Sequence, residues 1–526
     1  MNSRLDQLRE AASRPHDVVI VGGGINGAGI AHDAAARGLD VVLIDQHDWG
    51  FGTTWRSTKL VHGGLRYLEH GEFGLVFESL RERAVLLRTA PHLVRALPFL
   101  LPSYRGDRHG LPALRAGLTL YDLLAWGGGL PRHRALSAPR ALTAEPGLRP
   151  VGLQGGLAYW DCQVEMPERL CIENVLRARD DGATTISYVR AEQIMRVNDR
   201  ACGVVAVDRF SGAAFEVAGR LVVNAAGPWV DRVLAGGPRR LVGGTRGAHL
   251  VVRFPNGGPR HAIYAEAAGD HRPFFVVPWR GVHLVGTTDI RVDDPDELLP
   301  SDAEVEYLYE ATHHLLPGDP LRVEDLWYAY GGIRPLPYST GAHAGAITRR
   351  HHIIDHRADS AAGLITVVGG KLSTYRSLSA QVADLLVQRL GYGKPSRTAD
   401  EPLVTGDWQP HQDSIDERRL WRIYGPRAVE VLALQDANPA LTRPICPHTV
   451  ETLAEAAYAI RHEGAVTVAD VLLRRTPAGW SRCRGLDAAP AIAAMLVGWS
   501  EEAGTEIDLL VAAYEREVAR TFRTCF

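Results

Sequence analysis

Along the chain, apolar residues gather into short runs separated by glycine, and the first forty-five residues carry the clearest pattern. After Asp17 the run Val18–Val21 is continuous rather than alternating, as expected of a strand buried on both faces. It runs into Gly22-Gly-Gly-Ile-Asn-Gly27; Ala28–Arg37 then reads as a helix ended by Gly38, and Asp40–Ile44 as a second strand ending at Asp45. Residues 182–230 alternate apolar and polar as short strands, closing on Leu221-Val-Val-Asn-Ala-Ala-Gly227. Residues 242–370 are strand-rich, with examples at Ala248–Arg253, Phe274–Pro278, Val282–Thr287 and Gly363–Val368. A helix is predicted from about Ser373 to Leu390, a linker over Gly391–Ser396, and helices almost throughout beyond Ala399. Among them Thr467 and Asp470 have the spacing of a capping box.

Residues 93–131 admit two readings. Leu97–Pro102 is apolar, Leu111, Leu114, Leu118 and Tyr121 recur at helical spacing, Arg105, Arg108 and Arg115 are basic, and Trp126 closes the stretch. That is the pattern of a helix lying in a membrane interface, and equally of one covering its own core.

The strand–turn–helix–strand unit carries G-x-G-x-x-G at Gly22, Gly24 and Gly27, and Asp45 lies 18 residues beyond the last glycine. Such glycines let backbone N–H groups approach a pyrophosphate at a helix N-terminus, and the acid accepts bonds from a ribose hydroxyl. Dinucleotide binding follows. FAD and NAD share this fingerprint. Gly243-Gly-Thr-Arg-Gly247 and Gly127-Gly-Gly129 have the wrong spacing for a second one, which favours a flavoprotein oxidising its substrate directly or a simple NAD enzyme.

Composition narrows the classes. A chain of 526 residues exceeds a single core, so two or three domains are expected. Its 58 basic and 61 acidic residues leave −3, far from a nucleic-acid footprint. Six cysteines without a C-x-x-C pair argue against a zinc site and a disulfide scaffold, so no metal is expected. The first 16 residues lack an apolar signal core, and no apolar run reaches 18 residues. Three lysines, Lys59, Lys371 and Lys394, stand against 55 arginines, which marks them as places where a compact ammonium matters.

Taken in order, eight stretches resemble the FAD-dependent, quinone-linked glycerol-3-phosphate dehydrogenase family: Ile20–Ala31, Ser57–His70 (STKLVHGGLRYLEH), Leu221–Trp229, Gly247–Val252 (GAHLVV), Gly286–Asp289 (GTTD), Gly331–Leu336 (GGIRPL), Gly369–Arg376 (GGKLSTYR) and Asp470–Thr476 (DVLLRRT). The resemblance implies an α/β, Rossmann-type FAD domain interleaved with a mostly antiparallel substrate domain, as in D-amino-acid oxidase, plus an all-helical C-terminal domain. The first unit would span 17–395, with FAD segments near 17–92, 160–240 and 360–390 and substrate segments near 93–159 and 241–359. The second would span 400–526.

It also implies oxidation of sn-glycerol 3-phosphate to dihydroxyacetone phosphate, with electrons passed through FAD to a membrane quinone. The chain would sit in the cytoplasm, attached peripherally to the inner face of the plasma membrane through about residues 93–131, and a homodimer stays open. By resemblance, Arg334 is a substrate-site arginine, Arg66 a second phosphate ligand with Tyr67 beside it, and His249 the base or a substrate neighbour. Lys371, at a helix start with Gly370, Leu372 and Ser373, faces the flavin. His62 neighbours the flavin, Thr54, Ser57, Thr58 and Lys59 lie along FAD, Ala191 meets adenine, and Asn26 and Gly227 complete the cofactor set. Trp55 and Arg56 depart from the small residues usual in the family, and Glu165–Arg169 departs from its expected run. Two rivals share these motifs: an oxidase reducing O₂, and a non-catalytic flavin-binding subunit.

Overall fold

The structure is a computed structural model describing residues 4–69, 71–235, 239–340, 347–359, 361–499 and 506–524. His70 of the STKLVHGGLRYLEH motif and Cys525 lie outside the described residues.

Two sheets organise the molecule. In the first, the strand order is His352–Asp355, Leu364–Val368, Ala214–Asn224, His16–Val21, Val41–Ile44 and Thr184–Ile186. The four inner pairings are parallel and the His352–Asp355 edge is antiparallel. Val41–Ile44 and Leu364–Val368 are buried at every position because both faces of the sheet are covered. The helices Ile25–Ala36, Pro167–Asp180 and Tyr375–Leu390 pack together on one face, and the helix Arg4–Ala12 with the strands Val189–Val197 and Arg200–Asp208 packs on the other. An antiparallel extension, Val189–Val197 with Arg200–Asp208, continues from Ala214–Asn224.

The second sheet runs Phe522–Arg523, Leu326–Pro337, Val242–Val252, Val282–Gly286, Pro273–Trp279, Ala262–Glu266, Val94–Tyr104, Leu153–Val164 and Leu60–Val61. Its pairings are antiparallel except that of Ala262–Glu266 with Val94–Tyr104. The chain crosses between the sheets several times, which interleaves them. Beyond residue 414 the elements are helices, apart from the two-residue strand Phe522–Arg523 that joins the edge of the second sheet. The capping box forms: Asp470 N–H donates to Thr467 Oγ1 at 3.2 Å, and Thr467 N–H to Asp470 Oδ2 at 2.9 Å.

The 93–131 segment corrects the interfacial-helix reading in detail. Leu97–Pro102 lies within the strand Val94–Tyr104, hydrogen-bonded on both sides. Leu111–Leu124 is a helix, but Leu118 and Tyr121 are buried and Leu111 and Leu114 pack on the same core cluster. The apolar stripe therefore faces inward, because Leu80, Phe99 and Tyr159 are there to receive it. What faces solvent is Leu123 (60% exposed) and Trp126 (73%), among Arg105, Arg108, Arg115 and Arg132.

Candidate active site

The strand His16–Val21 ends in a turn that meets backbone at close range. Gly22 stands at φ +106°, and a Cβ on Gly27 would lie 1.8 Å from the Gly22 carbonyl oxygen, so a side chain at either position would force the turn apart. Gly24 is the N-cap of the helix Ile25–Ala36. The first-turn N–H groups of that helix have no helical acceptor and carry the positive end of its dipole. Thr54 Oγ1 takes the Ile25 N–H at 3.0 Å.

This turn opens on a cavity of 510 Å³. Gly22, Gly24, Asn26, Asp45, Thr54, Ser57, Ala191, Gly227, Gly370, Lys371 and Leu372 all line it. Gly27 lies beneath, shaping the turn. Asp45 accepts N–H bonds from Gly23 at 2.6 Å and His47 at 2.7 Å. Burial nevertheless pushes its carboxyl up to about 7, against those two bonds. Asn26 Nδ2 donates to the Gly369 carbonyl at 3.2 Å, while its buried Oδ1 has no partner. A side-chain-free turn, a helix N-terminus, an acid at the second strand's end and an unpaired buried acceptor fit FAD.

The raised Asp45 carboxyl should make FAD binding pH-dependent. A ribose hydroxyl donates better to the ionised carboxylate, so binding releases a proton from a group that is half protonated near pH 7. Apoprotein titrated with FAD should bind about tenfold tighter at pH 8 than at pH 6, and Asp45→Asn should flatten that slope. An unchanged slope in the variant would assign the effect to another group.

A second cavity, of 220 Å³, abuts the first: Ser57 and Pro335 line one, and their chain neighbours Thr58 and Arg334 line the other. Its wall includes His62, Arg66, Tyr67, Glu72, Arg272, Thr287, Asp289 and Arg349. Arg334 projects from the strand Leu326–Pro337, opposite Thr245 of Val242–Val252. Gly247 on that neighbouring strand makes the room, since a Cβ there would come within 2.2 Å of the Arg334 guanidinium. The guanidinium donates to the Thr288 carbonyl at 3.2 Å, to Asp289 Oδ1 at 3.1 Å and to Thr287 Oγ1. Asp289 Oδ2 also accepts from Arg349 at 3.0 Å and lies 4.0 Å from Arg272. Burial pushes the Asp289 carboxyl up, but Arg334 and Arg349 outweigh it and hold the group below the ordinary carboxylate range. Four arginines and two acids on the wall leave a net positive pocket.

Lys371 caps the short 3₁₀ turn Leu372–Thr374 that leads into the helix Tyr375–Leu390. Its ammonium donates to Ser79 Oγ at 3.0 Å and lies 3.9 Å from the centre of the Tyr67 ring. Burial pushes it down to about 7, against Glu72 and Glu78.

Three expected site residues sit behind the walls. His249 bonds through Nε2 to Thr58 Oγ1 at 2.9 Å and stacks on Tyr330, so Thr58 stands between it and the pocket. Burial, then Arg334 and Lys59, push its imidazole down to about 3, leaving it neutral at pH 7. Ser373 Oγ donates to the His62 carbonyl and accepts the His62 N–H, both at 3.0 Å, and so positions His62. Lys59 is a correction. Its ammonium turns away from both cavities to lie 4.4 Å from the Trp480 ring centre and 3.7 Å from Glu168, because the buried carboxylate and indole faces offer the better site. Trp55 and Arg56 line neither cavity. Trp55 packs edge-on to Trp480 and Phe522, and Arg56 lies over Phe51.

Comparison with known proteins agrees with this geometry. A model of FAD-dependent oxidoreductases matches residues 17–376, and a model of the C-terminal domain of alpha-glycerophosphate oxidase matches 365–503. The chain is 38% identical over 524 residues to a glycerol-3-phosphate dehydrogenase from Synechocystis, covering 94% of this chain and 95% of that one. It is 34% identical to an aerobic glycerol-3-phosphate dehydrogenase from Staphylococcus aureus, covering 88% and 86%. The chain belongs to the FAD-dependent glycerol-3-phosphate dehydrogenase family. FAD is its cofactor. A solved glycerol-3-phosphate dehydrogenase from Bacillus halodurans, complexed with FAD, superposes with a TM-score of 0.78 at 27% identity, covering 98% of this chain and 97% of that one. Within the family fold, Asp289, Arg272 and Arg349 are among the pocket residues that sequence reading misses, with Glu72 and Thr287. GTTD contained the signal for Asp289.

Proposed function

We propose that the protein oxidises sn-glycerol 3-phosphate at C2 to dihydroxyacetone phosphate and passes the electrons to a membrane quinone. The observation that carries this reading is the net positive pocket abutting the dinucleotide cavity. Arg66, Arg272 and Arg349 suit a phosphate dianion, and Arg334 suits the C2 oxygen as charge develops there. Thr58 Oγ1, hydrogen-bonded to His249 Nε2, is the group placed against the C2 hydroxyl, and the neutral His249 fixes its orientation. FAD, when bound, supplies the hydride acceptor. The helix N-terminus that begins at Lys371 opposes the negative charge arriving there. We assign residues 17–395 to the flavin and substrate unit and 400–526 to the C-terminal unit.

Anaerobic mixing with glycerol 3-phosphate should bleach the flavin absorbance. A short-chain quinone should then restore it faster than O₂ does, whereas faster return with peroxide release would favour an oxidase. No bleaching with this substrate would remove the reading altogether.

Peripheral attachment to the inner face of the plasma membrane belongs to the same proposal. Among the described residues no helix is long and apolar enough to cross a membrane. The attachment contact is assigned to the residues of this segment that stay exposed, Leu123 and Trp126 with Arg105, Arg108, Arg115 and Arg132. Pelleting with anionic vesicles should fall with salt and drop several-fold in Leu123→Ser/Trp126→Ser. Pelleting equal to wild type would put the contact elsewhere.

A further inference from the structure

Thirty-five residues apart in sequence, two turns of the C-terminal region bring soft and hard metal ligands together. The first, Cys446-Pro-His448, lies in a loop closed at its base: the Ile445 N–H donates to the Glu451 carbonyl at 2.7 Å and the Leu453 N–H to the Arg443 carbonyl at 2.9 Å. The second, Cys483–Asp487, is held by bonds from Arg484 N–H to the Ser481 carbonyl at 2.9 Å and from Leu486 N–H to the Cys483 carbonyl at 3.1 Å. Tyr514 pins its middle by donating to the Arg484 carbonyl at 2.6 Å.

Donor atoms of His448, Cys483 and Asp487 lie within 4.8 Å of one another, with His448 Nε2 3.2 Å from Asp487 Oδ2. The buried Cys446 thiol is hydrogen-bonded to Cys483 and lies just behind these three. Two sulfurs thus form the inner side, and an imidazole and a carboxylate, each about half exposed, form the mouth.

We propose that Cys446, His448, Cys483 and Asp487 bind one divalent cation of the zinc class, stapling the 443–453 loop to the 481–488 turn. Two thiolates and an imidazole select zinc-like ions over magnesium or calcium, which want oxygen ligands. Bond lengths near 2.0–2.3 Å put neighbouring ligands in a tetrahedral site roughly 3.3–3.8 Å apart. His448, Cys483 and Asp487 need to close by about 1 Å, which rotation of the two half-exposed side chains supplies, and Cys446 has to swing in from beside Cys483 to complete the set. A surface His–Asp pair alone would give no reason for two thiols beside it. The absence of C-x-x-C hid the site, because its ligands come as C-x-H and C-x-x-x-D from separate turns. It stands clear of the flavin and substrate cavities, yet Cys446 packs in the core cluster that also holds Tyr330, the ring under His249. The expected role is structural.

The full-length FAD-loaded protein, kept under a non-thiol reductant and stripped with a chelator, is titrated with Zn²⁺ and, in parallel, Co²⁺. One Zn²⁺ per chain should bind and raise the thermal midpoint, and Co²⁺ should give the strong visible bands of a tetrahedral thiolate site. Cys446→Ser and Cys483→Ser should each weaken binding by about 100-fold while keeping bound FAD, and His448→Ala should weaken it less. Three results would overturn the proposal: no stoichiometric Zn²⁺ in the wild type, binding unaffected by both cysteine variants, or Cys446 and Cys483 found joined as a disulfide in protein isolated without reductant.

Discussion

Arg334→Ala should lower kcat/KM for glycerol 3-phosphate by 10²-fold or more, on the order of 3 kcal/mol, the size of one lost preorganised charge contact. The geometry makes this a clean substitution. Asp289 keeps Arg349 at 3.0 Å and Arg272 at 4.0 Å, so the carboxylate is not left unpaired when the third guanidinium goes. The strand keeps its register, because Arg334 meets Thr245 through backbone bonds. What disappears is a positive group on the pocket wall, in place from binding onward, so KM should rise as well. Arg334→Lys should not restore activity. One ammonium cannot serve the Thr288 carbonyl, Thr287 and Asp289 together and still present a donor to the substrate. Lys371→Met makes the contrast. Its ammonium is bonded to Ser79 and held over Tyr67, so its loss should lower kcat with a smaller change in KM. Stopped-flow flavin bleaching across substrate concentration separates the three variants. If Arg334→Ala bleaches at the wild-type rate with wild-type saturation, the 220 Å³ pocket is not the substrate site.

The parts of this site legible in the sequence are those written locally. Val18–Val21, the three glycines and Asp45 sit within one supersecondary unit, where strand periodicity and a turn's need for missing side chains leave a mark in the residues themselves. Arg334 and Lys371 are legible because each sits in a short motif beside paired glycines, Arg334 within the strand Leu326–Pro337 and Lys371 before the turn Leu372–Thr374. Arg272 and Arg349 are not, because they reach the pocket from separate segments outside any motif and acquire meaning only beside Asp289. The stripe Leu111, Leu114, Leu118 and Tyr121 shows the same limit from the other side. Helical spacing says that one face is apolar, and only the strands Val94–Tyr104 and Leu153–Val164 decide that the face turns inward. Lys59 stands out in the sequence by its rarity, and its ammonium is confined by Trp279, Trp480 and Glu168 and lines neither cavity. Arg169, at the end of the Glu165–Arg169 run, is buried against Glu173 and Glu463 and so serves the seam between the flavin domain and the C-terminal helices.

That seam carries the second large effect. Asp48, three residues past Asp45 and fully buried, accepts from Arg474 Nε at 2.7 Å and from both terminal nitrogens of Arg475 at 2.6 and 2.8 Å. The two arginines come from the DVLLRRT motif, whose Asp470 accepts from Arg474 at 2.7 Å and from Tyr188 at 2.5 Å. Burial pushes the Asp48 carboxyl up, but Arg475 and Arg474 outweigh it and hold the group below its ordinary value. A carboxyl lowered in this way contributes stability above the unfolded value near 4, and that contribution is lost as pH falls through the folded value. Asp48→Ala removes the shared partner and leaves two guanidinium groups buried with one nearby acid each, Asp470 for Arg474 and Glu463 for Arg475. Breaking a buried pair from one side costs about 3–5 kcal/mol, far more than the pair would be worth against apolar replacements. Because the loop that holds Asp48 also holds Asp45, the first visible event should be release of FAD. The temperature of FAD release, read by its fluorescence, should drop on the order of 10 °C. Asp302→Ala is the control: its partner Arg523 and its own carboxylate lie at the surface, so the change should cost under about 1 kcal/mol and leave FAD release in place. An Asp48→Ala protein that releases FAD at the same temperature as the control would mean that Asp470 and Glu463 suffice for both arginines, and that the seam is held by its apolar contacts instead.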